Sequence, residues 1–534
     1  HHKHPTEAMP GTPVIGCDDL LYFSYPNTVI SEVALAYDGD VPEHCIVRGS
    51  MNERTGLGFP PLTPAEITYA IGFEMRLPTS WNGRFYYQAN GGIDGSVVPA
   101  FGDISGGGSA LEMGFAVISS DAGHGPGPFF GMDPKARIDY GYNAVAELTP
   151  MAKKLIKAYY GKFPDKSYIA GCSNGGRHTM VAASRFADEY DGFFVGSPGF
   201  NLPQAAVAQL WGAQQYATIS DYTDGRPDIS SSFSPGDTAL VSHAVLAACD
   251  NDDGLIDGMV SDPLGCQALF DIHRDVPTCE DPDAEGCLTY GQKSVLARIH
   301  AGAMDSSGNP LYTIFFWDPG IISNNWRFWE FTASKSLDPG AVGLIFSVPP
   351  DPNSIFGGLD WVLNWNGTGF DVDRDAPKIY ATNDTYTESS MSFMTPPDLL
   401  MKQLYAKGGK LIVFHGTSDA VFSVADTINW YEALSAHYKH RTKEFVRFFV
   451  IPGMAHCGGG PSCDRFELFK ALVDWVEKGI APDGLTAWTN PENPEVPSDW
   501  GPNRTRPLCA YPAVPIYNGS GDPEDAYNFS CVIR

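Results

Sequence analysis

Apolar positions along the chain follow two rhythms, short uninterrupted runs of the buried-strand kind and helical i, i+3, i+4 spacing, and these alternate in two separate blocks. In the first block, Phe85-Tyr86-Tyr87-Gln88 reads as a strand running into Asn90-Gly91-Gly92. Phe115-Ala116-Val117-Ile118-Ser119 reads as another, ending in Ser120-Asp121. Tyr142 to Tyr160 has Val145, Leu148, Leu155 and Ile156 at helical spacing. Tyr168-Ile169-Ala170 is a strand that stops at Gly171, a helix follows from Gly175 to about Phe186, and Phe193-Phe194-Val195 is the next strand. From about 200 to 400 Pro, Gly, Asp and Trp become frequent and strands are hard to place. After 400 the rhythm resumes, with strands at 410–414 and 446–450 and helices at 424–438 and 464–478. This alternation predicts an α/β protein with a parallel sheet covered by helices. The simplest organisation is one core, residues 1–199 and 400–534, interrupted by an insertion at 200–399. The short second block cannot supply a sheet of its own.

Composition narrows the class. The chain has 534 residues, 43% hydrophobic and only 18% charged, enough to bury a large core. A net charge of -28 weighs against nucleic acid and against an anionic membrane surface as partners, since both need basic patches. No apolar run reaches the length of a membrane span. Eleven cysteines occur without a single CxxC pair, which removes zinc-ribbon and thioredoxin readings. Spread through an acidic chain, they point to disulfides and an oxidising compartment, with one thiol left over. A secreted or periplasmic protein in mature form is therefore expected. The opening His1-His2-Lys3-His4 reads as a tag remnant rather than a metal site.

Candidate chemistry sits where the first block changes from strand to helix. Gly171-Cys172-Ser173-Asn174-Gly175 matches G-x-S-x-G, a nucleophile elbow, in which the glycines avoid collisions in a strained turn. In the α/β-hydrolase fold the acid and the histidine follow the serine, each just past a later strand. Strand 410–414 leads to Asp419 and strand 446–450 leads to His456. Asp426 and Asp464 are rival acids that lie in or at the start of helices. His415 is a rival base whose place on the strand end marks a buried structural histidine. Cys172 precedes Ser173 and Cys457 follows His456, so a hydrogen-bonded Ser–His pair brings the two sulfurs within bridging range. One oxyanion donor is the backbone N–H of Asn174, and the Gly91-Gly92 turn is the candidate for the other, its alternative being an ordinary tight turn.

A second cluster lies in the insertion. Asp250-Asn251-Asp252-Asp253-Gly254-Leu255-Ile256-Asp257-Gly258 packs four carboxylates and two glycines into nine residues. Hard cations take several oxygens from such loops, although the spacing is not that of an EF-hand. A solvated acidic turn accounts for this composition equally well.

Together, Cys172-Ser173, Asp419 and His456-Cys457 resemble the CS-D-HC arrangement of the tannase and feruloyl esterase family, over nearly the whole chain. The resemblance implies an α/β-hydrolase core with a large lid domain in the insertion, and a secreted serine esterase that needs no organic cofactor. It implies a structural Ca²⁺ held by Asp250, Asp253 and Asp257 and by the carbonyls of Leu255 and Met259. It implies the disulfides Cys17–Cys45, Cys172–Cys457, Cys249–Cys266, Cys279–Cys287 and Cys509–Cys531, with Cys463 unpaired. The implied partner is a small aromatic ester, either mono(2-hydroxyethyl) terephthalate or a hydroxycinnamate or gallate ester, and a monomer is expected. Matching to members that cleave the terephthalate monoester implies Trp329, Phe346 and Phe422 as pocket walls. Those members pair an arginine with the substrate carboxylate, but no arginine lies between Arg327 and Arg374 here, and Lys335 is the only cation in the corresponding stretch. Two other readings stand beside this one. The first is a calcium-stabilised, non-catalytic binding protein on a hydrolase fold. The second is a different triad chemistry such as peptide hydrolysis.

Overall fold

Alternate residues of a strand face opposite sides of its sheet, and the aromatic run at 85–87 shows this directly. Phe85 and Tyr87 belong to one buried cluster and Tyr86 to another, so the sheet is packed on both faces. The computed structural model describes residues 4–59 and 65–534; His1, His2 and Lys3 of the proposed tag remnant lie outside the described residues. Among the described residues nine strands form the main sheet: β1 (Thr28–Asp38), β2 (Val41–Gly58), β3 (Ala65–Pro78), β4 (Arg84–Gln88), β5 (Ala116–Ser120), β6 (Lys166–Cys172), β7 (Gly192–Gly196), β8 (Lys410–Gly416) and β9 (Val446–Ile451). Their spatial order is β1-β2-β3-β5-β4-β6-β7-β8-β9. Pairing is parallel from β5 to β9 and antiparallel among β1, β2, β3 and β5.

The parallel part matches the expectation from alternating strands and helices. The antiparallel edge does not, because a half-exposed strand such as β2 carries no long uninterrupted apolar run to predict it. Gly39-Asp40 is the two-residue turn between β1 and β2, a Gly-Asp hairpin signal, and Gly39 takes the left-handed φ of 56° that its first position needs. The helix predicted at 424–438 spans Val424–Tyr438, and that predicted at 142–160 spans Ala144–Tyr160. The helix predicted from 464 starts later, at Leu468. The backbone of Arg465 is instead spent on a two-way bridge to Trp488, and the N–H of Phe466 donates to Gly106.

Helix Leu468–Lys478 covers one face of the sheet, where Phe469 and Leu472 pack with Tyr86, Tyr168 and Phe194. Helices Ala144–Tyr160 and Asn174–Arg185 cover the other. Between β7 and β8 the chain adds no strand to this sheet among the described residues. That stretch is made of helices such as Leu202–Ala217, Pro235–Cys249 and Tyr290–Ala301, and of shorter turns including the wider, π-helical Phe328–Ala333 and Ala341–Phe346. Five disulfides join Cys17–Cys45, Cys172–Cys457, Cys249–Cys266, Cys279–Cys287 and Cys509–Cys531. Cys463 is a buried free thiol, which burial pushes up to about 12. No helix is long and apolar enough to cross a membrane among the described residues.

Candidate active site

Strand β6 ends in a turn that only a tightly restricted sequence can make. Ser173 sits at φ 69°, ψ -124°, a conformation that non-glycine residues avoid. A Cβ on Gly171 would lie 2.5 Å from the Ala89 carbonyl oxygen, and one on Gly175 would lie 2.4 Å from the same atom. The elbow and strand β4 are therefore pressed together backbone to backbone. The Ser173 N–H donates to the Gly196 carbonyl on β7, which holds the strained residue in place.

Past the ends of β8 and β9 come the other two groups. Ser173 Oγ is 2.8 Å from His456 Nε2, and His456 Nδ1 is 2.7 Å from Asp419 Oδ2. Asp419 is buried, and its Oδ1 accepts the N–H groups of Val421 and Phe422. Burial alone would raise this carboxyl, but the imidazoles of His456 and His415 outweigh burial and hold it well below the usual carboxylate range. The acid thus stays ionised and fixes the tautomer in which Nε2 is free to take the serine proton. His415 is fully buried. It bridges Thr427 Oγ1 and the Phe422 carbonyl, and its Nε2 lies 3.3 Å from Asp419 Oδ2. Asp426 binds Asn201 instead of a histidine. The Cys172–Cys457 bridge spans 285 residues and joins the positions directly beside Ser173 and His456.

Two backbone arms meet at Ser173. Asn174 opens the elbow helix, and its side chain donates to Asn90 O (3.1 Å) and to Asp94 Oδ2 (2.9 Å). Asp94 also binds His178 Nε2 on that helix, at 2.8 Å. The loop carrying Gly91 and Gly92 is so tied to the elbow, and Tyr140 donates to the Gly92 carbonyl. Gly92, Ser173 and Asn174 line one narrow cleft with Trp329, Asp338 and Phe422. The rings of Trp329 and Phe422 meet the His456 imidazole edge-on, at 5.2 Å and 5.4 Å.

The structure does not bring Phe346 and Lys335 to this cleft. Phe346 is wholly buried at the end of a π-helical turn whose six residues are all buried. Lys335 is exposed, as an ammonium without a partner must be to stay hydrated. Sequence reasoning also missed residues that the insertion sends back to the core. Asp318 Oδ2 accepts from Thr417 Oγ1 at 2.6 Å, and its Oδ1 accepts from Ser418 Oγ, on the loop that carries Asp419. Thr417 Oγ1 in turn accepts from the Gly453 N–H on the loop that carries His456. Asn325 Oδ1 accepts the His456 N–H. No local pattern marks these residues, because each meets its partner from about a hundred or more positions away.

Away from the cleft, Asp250, Asp253 and Asp257 bring one carboxylate oxygen each to within 4.8 Å of one another. Asp253 Oδ2 is buried with no hydrogen-bond partner, and Arg506 neutralises only Asp257, at 2.8 Å. Burial first, then the neighbouring carboxylates, raise Asp250 to about 6 and Asp253 to about 7. Three crowded buried carboxylates with one counter-charge fit a hard cation better than an empty turn. Leu255 and Met259 lie on the same loop, where their N–H groups donate to Asp253 and Asp257. The Cys249–Cys266 disulfide staples the ends of this segment.

Comparison with known proteins agrees with this geometry. The family described as "Tannase and feruloyl esterase" matches residues 62–532. The chain is 38% identical to mono(2-hydroxyethyl) terephthalate hydrolase from Piscinibacter sakaiensis, over 93% of this chain and 86% of that protein. It is 26% identical to a probable feruloyl esterase B-2 from Aspergillus terreus, over 87% of this chain and 83% of the other. Among solved structures, feruloyl esterase B from Aspergillus oryzae superposes with a TM-score of 0.75 at 23% identity, covering 97% of this chain and 99% of that one. Tannin acyl hydrolase from Aspergillus niger does so with a TM-score of 0.66 at 21% identity, over 95% and 92%. With its α/β-hydrolase sheet and the match along most of its length, the chain belongs to the tannase and feruloyl esterase family of carboxylic ester hydrolases.

Proposed function

We propose that the protein is a secreted serine esterase that hydrolyses esters of aromatic carboxylic acids through an acyl-enzyme. The observation that carries this reading is the hydrogen-bonded chain from Ser173 through His456 to the buried Asp419, opening on a narrow cleft walled by Trp329 and Phe422. His456 takes the proton of Ser173 as the hydroxyl attacks the ester carbonyl, and returns it to the leaving alcohol. The backbone N–H groups of Asn174 and of the Gly91-Gly92 turn receive the oxyanion. Water then attacks the acyl-enzyme with His456 again as base.

The substrate class rests on two supports. Flat aromatic walls suit a flat acyl ring, and the relatives are named for esters of aromatic acids. Residues 200–399 act as a lid domain over the core of 1–199 and 400–534. Asp250, Asp253 and Asp257, with the carbonyls of Leu255 and Met259, hold a structural Ca²⁺. Five disulfides favour an oxidising compartment.

The test is hydrolysis of p-nitrophenyl acetate and of an aromatic ester such as ethyl ferulate by wild type and Ser173→Ala. Loss of the nucleophile is expected to lower kcat by about 10⁴-fold or more. Equal turnover by both proteins would favour a binding protein on a hydrolase fold and sink the esterase reading.

A further inference from the structure

The loop that follows β4 has its acceptors taken and its donors open. Four consecutive carbonyls are held, that of Asn90 by Asn174 Nδ2, Gly91 by the Asp94 N–H, Gly92 by the Tyr140 hydroxyl and Ile93 by His124 Nε2, at 2.6 to 3.3 Å. In a planar trans peptide the C=O and the N–H of the next residue point in opposite directions. Fixing the carbonyls of Asn90, Gly91 and Gly92 therefore fixes where the N–H groups of Gly91, Gly92 and Ile93 point. None of these three N–H groups finds an acceptor among the described residues, and Gly92 and Ile93 line the cleft beside Ser173.

One carboxylate joins this loop to the elbow helix. The Asp94 side chain is 2% exposed, and its Oδ2 accepts from Asn174 Nδ2 at 2.9 Å and from His178 Nε2 at 2.8 Å. The tautomer of His178 follows from its other neighbour. Arg177 Nη2, which can only donate, lies 3.3 Å from His178 Nδ1, so Nδ1 accepts and the proton sits on Nε2, facing Asp94. Burial first, then Arg177, hold this imidazole below its ordinary value, and it stays neutral. Arg177 Nε also donates to Asn174 Oδ1 at 2.7 Å, which turns the Asn174 amide nitrogen toward Asp94. Arg177, Asn174, Asp94 and His178 thus close a ring of four hydrogen bonds. Three of its members belong to the elbow helix, and Asp94 alone comes from the loop.

We propose that Asp94 is the positioning residue of the oxyanion site, holding the N–H groups of the Gly91-Gly92 turn at a fixed spacing from that of Asn174. This rests on the esterase reading given above and deepens it by naming what preorganises its donors. Asp94 acts through the backbone and not on substrate. Its negative charge has a separate task, which is to offset the fully buried Arg177 guanidinium.

The test compares Asp94→Ala and Asp94→Asn with wild type in kcat and KM for p-nitrophenyl acetate, and in Tm. Asp94→Ala removes the acceptor from both donors. Its kcat is expected to fall by about a hundredfold or more, the size of losing one oxyanion donor, with KM within about threefold of wild type. Asp94→Asn keeps an oxygen for both donors and loses the charge. It is expected to retain kcat within about tenfold while Tm falls, because Arg177 loses its counter-charge. A second readout is inhibition by an aryl trifluoromethyl ketone, to which Ser173 Oγ adds to give a hemiketal oxyanion as its proton passes to His456. In Asp94→Ala its Ki is expected to rise by about the factor by which kcat/KM falls. Should the alanine variant fail to fold, Asn174→Ala keeps the backbone N–H and cuts the tie to the loop, with kcat expected about tenfold lower and Ki raised in parallel. An unchanged kcat in the folded variant overturns the proposal, as does a lower kcat at constant Ki, or an Asp94→Asn protein as slow as Asp94→Ala. Ser173→Ala, measured alongside, separates the two levels: turnover that survives it sinks the esterase reading, whereas Ser173-dependent turnover indifferent to Asp94 sinks this proposal alone.

Discussion

The sheet and the insertion build the same site by different means. At the sheet, Ser173, Asp419 and His456 each follow a parallel strand, β6, β8 and β9, and neighbouring strands bring them within hydrogen-bond reach. Between β7 and β8 the chain instead forms helices, several of them short or π-helical, and reaches the site through single side chains: Asp318, Asn325, Trp329 and Asp338. The contrast teaches a division of labour. Strand ends fix Ser173, Asp419 and His456, whereas the insertion braces the loops of the last two and lines part of the cleft. A rigid scaffold can thus keep one chemistry while its specificity changes.

Three perturbations test this contrast, beyond the two experiments already described. The largest effect is expected from the Cys172→Ala, Cys457→Ala double variant, which unlinks nucleophile loop from histidine loop across 285 residues. On chain entropy alone the bridge contributes up to about 5 kcal/mol. Both Tm and activity are expected to fall, with activity lost at temperatures where circular dichroism still reports folded protein. Full activity in the double variant would show that the strand ends position the triad unaided.

A smaller effect is expected where insertion and scaffold touch. Asp318→Ala leaves the Thr417 and Ser418 hydroxyls without their buried acceptor, at about 1–3 kcal/mol for each group left unsatisfied. Because Asp318 acts through the Asp419 loop and not on substrate, kcat is expected to fall by about ten- to a hundredfold with KM nearly unchanged. A rise in KM at constant kcat would instead place Asp318 in substrate binding. The smallest effect on catalysis is expected from metal removal. Chelation of Ca²⁺ is expected to lower Tm, and re-addition to restore it as mass action requires, while kcat at low temperature changes little. An unchanged Tm after chelation would return the Asp250–Asp257 loop to the status of an acidic turn.

Most of the scaffold was legible because its signals are local. Strand 410–414 and helix 424–438 follow from periodicity, and G-x-S-x-G carries its own steric reason in Gly171 and Gly175. The antiparallel edge escapes the pattern although Gly39-Asp40 marks its hairpin, because half-exposed strands such as β2 lack the apolar runs of the parallel ones. In the insertion tryptophan is frequent, but composition does not say which rings turn inward. Trp329 and Phe422 reach the cleft, whereas Phe346 is used in packing.

The sequence by itself determined the elbow motif at Ser173, the aspartate and histidine that follow it in chain order, the cysteines beside Ser173 and His456, and the α/β alternation that carries them. Each of these depends on residues close in the chain or on one strand-end rule. Only the tertiary structure decided that Asp318 and Asn325 brace the acid and base loops. It alone showed that Asp94 ties the glycine turn to the elbow and that Asp338 stands unpaired beside the nucleophile. These are meetings of polar atoms from distant segments. A buried hydrogen bond depends on where both partners end up, which no periodicity of either segment encodes.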